Sequence, residues 1–381
     1  MKKISTLPEL LQCFITEEEL NQLAEKYGYK ETARKFTFID LLNFWMVSAA
    51  RKWTGFRDAE SKMDQCSEIP TVDHSTLSKK AKDVPYQIIQ DVFQIVANRT
   101  NRPFRRRFFS KYKLYAVDST MLTFKHPGFS LALYSSQRHA IRLHTKFDID
   151  EYQPAQVIET TGRDQDIMVA PKLFLNTDIP AILVADRGYA STAFFEELQE
   201  NKQFFVIRIA DNFTVSKRKS LKRLELKENN IVRDETALIG KGTRTTKTRF
   251  RIVTFLDDEG HQIRVVTNVM DCSAEMIAQI YKLRWQIELF FRWLKQNLEL
   301  PNIFGMSQNA VYSQVYGTLL SYLLLRWVYN ETKSKWWLIC KLTFLDFSRR
   351  FINHTLPVEV KSEIQWYFYN RGNLYFFTGK I

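Results

Sequence analysis

The chain has 381 residues and a formal net charge of +13, a balance that favours a polyanionic partner, most commonly nucleic acid. Its four cysteines are scattered without a CxxC pair, which argues against a disulfide framework and a zinc site. The most apolar long stretch, residues 311–328, is interrupted by polar residues and predicts a buried helix rather than a membrane span. No apolar signal region follows Met1, so a cytoplasmic protein without membrane attachment is expected.

Residues 1–108 carry helical periodicity and predict a separate N-terminal helical domain. Its clearest helices are predicted at Leu7–Phe14, Glu17–Tyr27, Phe38–Ala50 and Tyr86–Asn98. Asp73 can cap a further short helix that presents Lys79 and Lys82. Two interpretations remain open for that helix: a recognition helix that contacts phosphates or base edges, or an ordinary solvated basic helix.

The densest basic cluster lies where this helical domain would join the rest of the chain. Its central residues are Arg105, Arg106 and Arg107, flanked by Phe104 and Phe108. Basic residues interleaved with aromatic ones favour a linker that follows a nucleic-acid backbone over a run that only increases solubility.

Two predicted strands end at acids. The run before Asp118 alternates and then turns apolar, and the run before Asp186 is continuously apolar, as in a strand buried on both faces. If the two strands are neighbours, both carboxylates leave the sheet at one edge. A turn-forming role is the alternative for an isolated acid at a strand end. Two interpretations remain open for Asp166: a turn residue, which is favoured, and a residue that assists the site.

The sequence between residues 212 and 270 reads as short, charged segments with β propensity. Arg249–Phe255 and Gln262–Val266 are the clearest strands among them. A long amphipathic helix follows. At about 100° per residue, one narrow stripe of this helix carries Tyr281, Arg284, Glu288 and Lys295. An acid among cations and a tyrosine suits a metal carboxylate beside a phosphate backbone.

The spacing Tyr281-x2-Arg284-x3-Glu288-x6-Lys295 resembles the Y-R-E-K signature of the insertion sequence 4 family of DDE transposases, which cut and paste DNA. Asp118 within AVDST and Asp186 within ADRGY are similar to the first two acids of that family's triad. The resemblance covers roughly residues 110–330. It implies an α/β fold with a ribonuclease-H-like catalytic core, a β-rich insertion domain and the N-terminal helical domain.

The same resemblance implies that the three acids hold two Mg²⁺ or Mn²⁺ ions, with Asp118 bridging both. It also implies DNA contacts by Tyr281, Arg284 and Lys295. The expected domains are residues 1–108 (helical, DNA-binding), 109–211 and 271–350 (catalytic core), 212–270 (insertion) and 351–381 (C-terminal segment).

The expected function is that of a bacterial-type insertion-sequence transposase. It would bind terminal inverted repeats as a homodimer associated with the nucleoid, cleave DNA, and join the strands to target DNA. A DNA-binding regulator with an inactive core and a stand-alone metal-dependent nuclease are the alternatives. No GxxxxGK[ST] phosphate loop is present, which disfavours ATP-driven action.

In hairpin-forming members of the family a tryptophan of the insertion holds a flipped base. This chain has no tryptophan between Asp186 and Arg284. Phe250, Phe255 and His261 are the alternative stacking residues, and the sequence does not decide among them.

Overall fold

The computed structural model describes residues 4–100, 111–124, 133–135, 138–175, 180–221, 230–298, 300 and 302–378. The chain forms two compact units, each assembled from separate stretches of sequence. The first contains Met1–Arg102, Thr123–His139 and Arg292–Ile381, and the second contains Pro103–Leu122 and Ala140–Phe291. The division into five functional domains stays a prediction.

The first unit is mainly helical. Its N-terminal helices are α1 (Leu7–Leu11), α2 (Glu17–Lys26), α3 (Phe38–Ala50), α4 (Phe56–Met63), α5 (His74–Asp83) and α6 (Tyr86–Thr100). Asp73 caps α5 as predicted, because its side chain accepts hydrogen bonds from the amides of Ser75 and Thr76.

The later helices of this unit are α11 (Gln308–Cys340), α12 (Phe344–Ile352) and α13 (Val358–Thr378). Helix α11 packs against α3 and α6. A Cβ on Gly317 would lie 2.5 Å from the Cβ of Trp45, so this close approach of α11 to α3 requires glycine. The prediction of a buried helix at residues 311–328 is confirmed. In the described part of the chain, no helix is long and apolar enough to cross a membrane.

Residues 113–297 contain, in chain order, β1 (Lys113–Phe124), β2 (Leu133–Ser135), β3 (Arg138–Asp148), β4 (Gln153–Thr161), α7 (Asp166–Phe174), β5 (Ala181–Ala185), α8 (Thr192–Glu200), β6 (Phe204–Ile209), β7 (Val215–Ser220), β8 (Ile231–Ile239), β9 (Phe250–Leu256), β10 (Gln262–Thr267), α9 (Ala274–Leu283) and α10 (Trp285–Asn297). Strand β2 pairs with the first residues of β3 within the first unit.

A mixed sheet forms the centre of the second unit, with the strand order β4-β3-β1-β5-β6-β10-β9-β8-β7. Strands β1, β5 and β6 are parallel neighbours. The apolar residues of α7 and α8 pack with those of β5, β6 and β9 in one buried cluster. Within it, the rings of Phe195 and Phe205 stack with centroids 5.5 Å apart. The predicted α/β class is confirmed.

The strands predicted between residues 212 and 270 continue this same sheet. Strand β10 pairs antiparallel with β6, and β9, β8 and β7 follow it outward. The backbone hydrogen bonds of the insertion are therefore those of the central sheet, although its role as a distinct domain stays a prediction.

The long amphipathic helix is interrupted at Arg284, which differs from the single helix predicted by periodicity. Helix α9 ends at Leu283 and α10 begins at Trp285. The Arg284 amide bonds to the Tyr281 carbonyl, and the Ile287 amide bonds to the Arg284 carbonyl, so the chain tightens to i−3 hydrogen bonding here. Glu288 consequently lies in the first turn of α10 rather than in the middle of one helix.

Candidate functional site

Asp118 and Asp186 occupy matching places on two neighbouring strands. The parallel register of β1 and β5 pairs Val117 with Ala185, and each acid is the next residue. Neighbouring strands lie about 4.8 Å apart, so both acids leave this pair at the same edge. The predicted adjacency of the two strands is confirmed. The assignment of the two acids to catalysis stays a prediction.

Asp118 does not end its strand, contrary to the sequence prediction. Strand β1 continues to Phe124, whereas β5 stops at Ala185 and the chain turns through a short 3₁₀ helix, Arg187–Tyr189. Strand β1 keeps β3 as a neighbour on its other side, which explains how it continues after β5 has ended.

Each of the two aspartates is held by the backbone of the next residue. The Ser119 amide donates to Asp118 Oδ1 at 2.8 Å, and the Arg187 amide donates to Asp186 Oδ1 at 2.6 Å. These local hydrogen bonds fix the direction of both carboxylates.

The Arg284 guanidinium connects the first aspartate to the helix acid. Its Nη1 lies 3.4 Å from Asp118 Oδ2, and its Nη2 lies 2.6 Å from Glu288 Oε1. The Arg284 side chain is 13% exposed, against 22% for Asp118 and 30% for Glu288. The Arg284 cation therefore bridges two of the three carboxylates of the site.

The three acids also share one electrostatic environment. Burial raises the pKa of Asp118 to about 6, with the Ser119 amide and Arg284 opposing this rise and the charges of Glu288 and Asp186 adding to it. Three ionised carboxylates with one guanidinium leave a net negative site, and carboxylate oxygens are the ligands that Mg²⁺ and Mn²⁺ prefer. The donor chemistry thus fits a divalent cation. Among the described residues, no three His, Cys, Asp or Glu side chains form a ready group that could hold a metal ion.

We expect Asp118 to make the metal-free protein less stable as the pH rises. Its pKa is about 6 in the folded chain against an ordinary 3.8, so its favourable contribution is complete below about pH 4 and is lost as the pH rises through 6. The free energy of unfolding of the wild type, relative to Asp118→Asn, should fall by about 3 kcal/mol over this window. Chemical denaturation of chelator-treated protein measures it. A difference that does not vary with pH would contradict the burial of this carboxyl.

Tyr281, the first residue of the predicted stripe, is buried rather than available to a ligand. It is 5% exposed, its ring packs edge-on against Phe255, and the Arg284 guanidinium lies 5.7 Å from its ring centroid. Its hydroxyl has no hydrogen-bond partner within the described ranges. The buried Tyr281 ring therefore packs against the Arg284 guanidinium and supports it. A direct contact between Tyr281 and a phosphate stays a prediction.

Lys295, the last residue of the stripe, belongs to the first unit. Burial lowers its pKa. Its expected DNA contact stays a prediction.

The other predicted DNA contacts are placed in part. Lys79 and Lys82 are exposed on α5. Their neighbour Lys80 instead forms an ion pair of 2.6 Å with Glu31. Arg105, Arg106 and Arg107 lie outside the described residues. In the insertion, Lys217, Arg218 and Lys219 form an exposed basic run on β7.

Two of the three residues considered for base stacking are excluded by burial. Phe250 is 1% exposed and Phe255 is fully buried, because both belong to β9 inside the sheet. The side chain of His261 is 71% exposed in the turn before β10. A stacking role in the insertion would therefore fall to His261.

Sequence reasoning missed a polar cluster beside the acids. Asp166, interpreted as a turn residue, begins α7, and its carboxylate lies near Arg142 and His144 of β3. Burial acts to raise the pKa of Asp166, but hydrogen bonds from His144 and Ser119 and the charge of Arg142 lower it. The contacts join residues distant in sequence, and no local pattern signals them.

Comparison with known proteins identifies relatives over nearly the whole chain. Residues 109–324 match the family model of the transposase DDE domain. A probable transposase for insertion sequence element IS5377 of Geobacillus stearothermophilus is 38% identical over 363 residues, which is 95% of this chain and 94% of the relative. A protein of Synechocystis named as a transposase for insertion sequence element IS4SA is 25% identical over 285 residues, 72% of this chain and 78% of the relative.

Among solved structures, a piggyBac transposase synaptic complex with hairpin DNA aligns with 95% of this chain and 82% of its own, at 11% identity and a TM-score of 0.47.

Proposed function

Because this chain belongs to the transposase DDE domain family and is a transposase of an insertion sequence, we propose that it cleaves and joins DNA at Asp118, Asp186 and Glu288. The observation that carries the proposal is the register of β1 and β5, which places two acids side by side, together with the guanidinium that links one of them to the third. The strands β4-β3-β1-β5-β6 would constitute the ribonuclease-H-like core.

Proteins of this family use divalent metal ions. In this chain Asp118, Asp186 and Glu288 would hold two of them, Mg²⁺ or Mn²⁺. When bound, such ions activate the attacking oxygen and stabilise the leaving one. The backbone amides of Ser119 and Arg187 keep the two aspartates oriented.

Arg284 has a second role in this proposal. A guanidinium binds phosphate as well as carboxylate, and it can donate two parallel hydrogen bonds to either group. When cations neutralise the acids, Arg284 can bind a phosphate of the scissile strand, while Tyr281 keeps its position beneath it. Water as nucleophile gives strand cleavage, and a freed 3′-hydroxyl gives strand transfer or a hairpin.

The DNA partners in this proposal are the terminal inverted repeats and the target DNA. The exposed Lys79 and Lys82 and the basic run on β7 are the surfaces offered for phosphate contacts. Two copies of the chain would hold two ends in a homodimer. To act on chromosomal DNA, the protein would work in the cytoplasm in association with the nucleoid.

Binding to a transposon end should weaken steeply with salt. The chain carries a net charge of +13, and each phosphate that it neutralises releases counterions. If roughly four phosphates are neutralised, the affinity should fall by about two orders of magnitude between about 50 and 200 mM salt. Fluorescence anisotropy on a labelled end duplex measures this, and a flat response would contradict phosphate recognition.

Incubation of the purified protein with DNA that contains its flanking ends tests the function directly. We expect nicks at the ends and joined products with Mg²⁺ or Mn²⁺, and binding without cleavage in Ca²⁺. Metal-independent binding without any cleavage would support the regulator instead. Cutting that needs no end sequence and yields no joined product would support the stand-alone nuclease.

A further inference from the structure

Four polar side chains beside the acids have no part in the mechanism above. Their members are Ser119, Arg142, His144 and Asp166, all in the second unit. Ser119 follows Asp118 on β1, Arg142 and His144 belong to β3, and Asp166 begins α7. The cluster therefore joins three elements around the edge where the aspartates lie.

Asp166 is the centre of this cluster. Its Oδ1 lies 3.2 Å from Arg142 Nη1 and 3.3 Å from His144 Nδ1. The fully buried His144 ring is held from its other side, because His144 Nε2 lies 2.9 Å from the Thr160 hydroxyl on β4. Arg142 thus donates hydrogen bonds to the Asp166 carboxylate, and the His144 ring, which is fixed by β4, packs against Oδ1 of that carboxylate.

The cluster reaches the first aspartate through Ser119. Arg142 Nη1 donates to the Ser119 hydroxyl at 3.4 Å, and the Ser119 amide holds Asp118 Oδ1. The Arg142 guanidinium forms its ion pair with Asp166 and not with Asp118, Asp186 or Glu288. Its charge is therefore balanced within this cluster.

It reaches the second aspartate through the turn after β5. A Cβ on Gly188 would lie 3.2 Å from Asp166 Oδ2, so the carboxylate packs directly against the backbone of that turn. The same turn begins with Arg187, whose amide holds Asp186 Oδ1. Asp166 therefore contacts the supports of both aspartates and neither aspartate itself.

We propose that Asp166 is a positioning residue of the DNA-cleaving site: held by Arg142 and packed against His144, it supports the Ser119 side chain and the turn at Gly188 and thereby fixes the spacing of Asp118 and Asp186. This inference rests on the proposed function. Metal ligands depend on partners behind them for orientation, and loss of such a partner typically weakens metal affinity about 10–100-fold.

Asp166→Asn tests the proposal, with Asp164→Asn as the matched control. Asp164 is an acid two residues away whose carboxylate accepts hydrogen bonds from Thr161 at the end of β4. We expect Asp166→Asn to weaken Mn²⁺ binding about ten-fold or more, measured without DNA by electron paramagnetic resonance. The metal concentration that gives half-maximal end cleavage should rise equally, and saturating metal should restore the rate. Thermal unfolding without metal and end binding in Ca²⁺ should match the control.

Unchanged Mn²⁺ affinity in Asp166→Asn would overturn the inference, as would a cleavage defect that saturating metal does not restore. If Asp166→Asn does not fold, Arg142→Lys replaces it. That variant keeps the charge and loses the planar guanidinium whose Nη1 contacts both Asp166 and Ser119, and it should weaken Mn²⁺ binding in the same direction. Failure of the proposed function is distinguishable, because the wild type itself would then neither bind Mn²⁺ through Asp118 and Glu288 nor cleave ends.

Discussion

Glu288→Gln is expected to abolish strand cleavage while leaving binding to transposon ends intact or slightly tighter. The amide keeps the size of the side chain but removes a charge that the metal ions need. It also removes the charged partner of Arg284, 2.6 Å away, and so releases the guanidinium for a phosphate. Cleavage should fall roughly 1000-fold or more, on the order of 4 kcal/mol of activation free energy. Cleavage assays in Mg²⁺ and gel shifts in Ca²⁺ measure the two effects separately.

Glu259→Gln is the matched control for this variant. Glu259 lies in the same unit, and its side chain is 82% exposed in the turn before β10. The Glu259→Gln variant loses the same charge as Glu288→Gln, at a position remote in sequence from the three acids of the site. It should cleave at the normal rate. Normal cleavage by Glu288→Gln would show that the third acid has been assigned wrongly.

Arg284→Ala is expected to weaken binding to the transposon end as its main effect. Loss of a charge-assisted hydrogen bond costs on the order of 1.5–3 kcal/mol, so the affinity should fall roughly ten-fold or more. Arg284 also lowers the pKa of Asp118, and its removal should therefore raise that pKa further. The cleavage rate should then begin to rise at a higher pH than in the wild type. Anisotropy titrations and a pH profile of cleavage measure both changes.

Two further variants separate charge from geometry at this position. Arg284→Lys keeps the cation without the fork and should give an intermediate affinity. Lys282→Ala removes a cation from the last turn of α9, one that pairs with Asp258, and should leave the pH profile unaltered. Wild-type affinity and pH dependence in Arg284→Ala would argue that this guanidinium is only a structural partner of the acids.

The parts of the site that follow strand and helix periodicity were predictable from sequence. The apolar runs before Asp118 and Asp186 predicted two buried strands, and parallel pairing then fixed the acids in register. The spacing of Arg284 and Glu288, four residues apart, predicted that both lie on one stripe. They keep that placement across the interruption of the helix and are in contact, because the chain stays right-handed helical there.

The parts that depend on long-range packing were not predictable. Periodicity cannot say that β1 continues beyond Asp118, since that depends on its other neighbour, β3. It cannot assign Tyr281 to the interior, since the ring is covered by Phe255 from a distant strand. The contacts of Asp166 could not be predicted for the same reason. Its partners Arg142 and His144 lie on β3, and only the folded sheet brings them close to it.

The continuous sheet sets a fixed distance between the insertion and the edge at which Asp118 and Asp186 lie. Five strand spacings separate β5 from β7, and at about 4.8 Å each they amount to roughly 24 Å. This is the length of about seven base pairs of duplex. A duplex could contact the basic run on β7 while one of its strands lies at Asp186. The two contacts would then be separated by this same distance along the duplex. The hydrogen-bonded sheet fixes the distance between these two points. It would therefore set the distance along the transposon end from the contact at β7 to the position of cleavage.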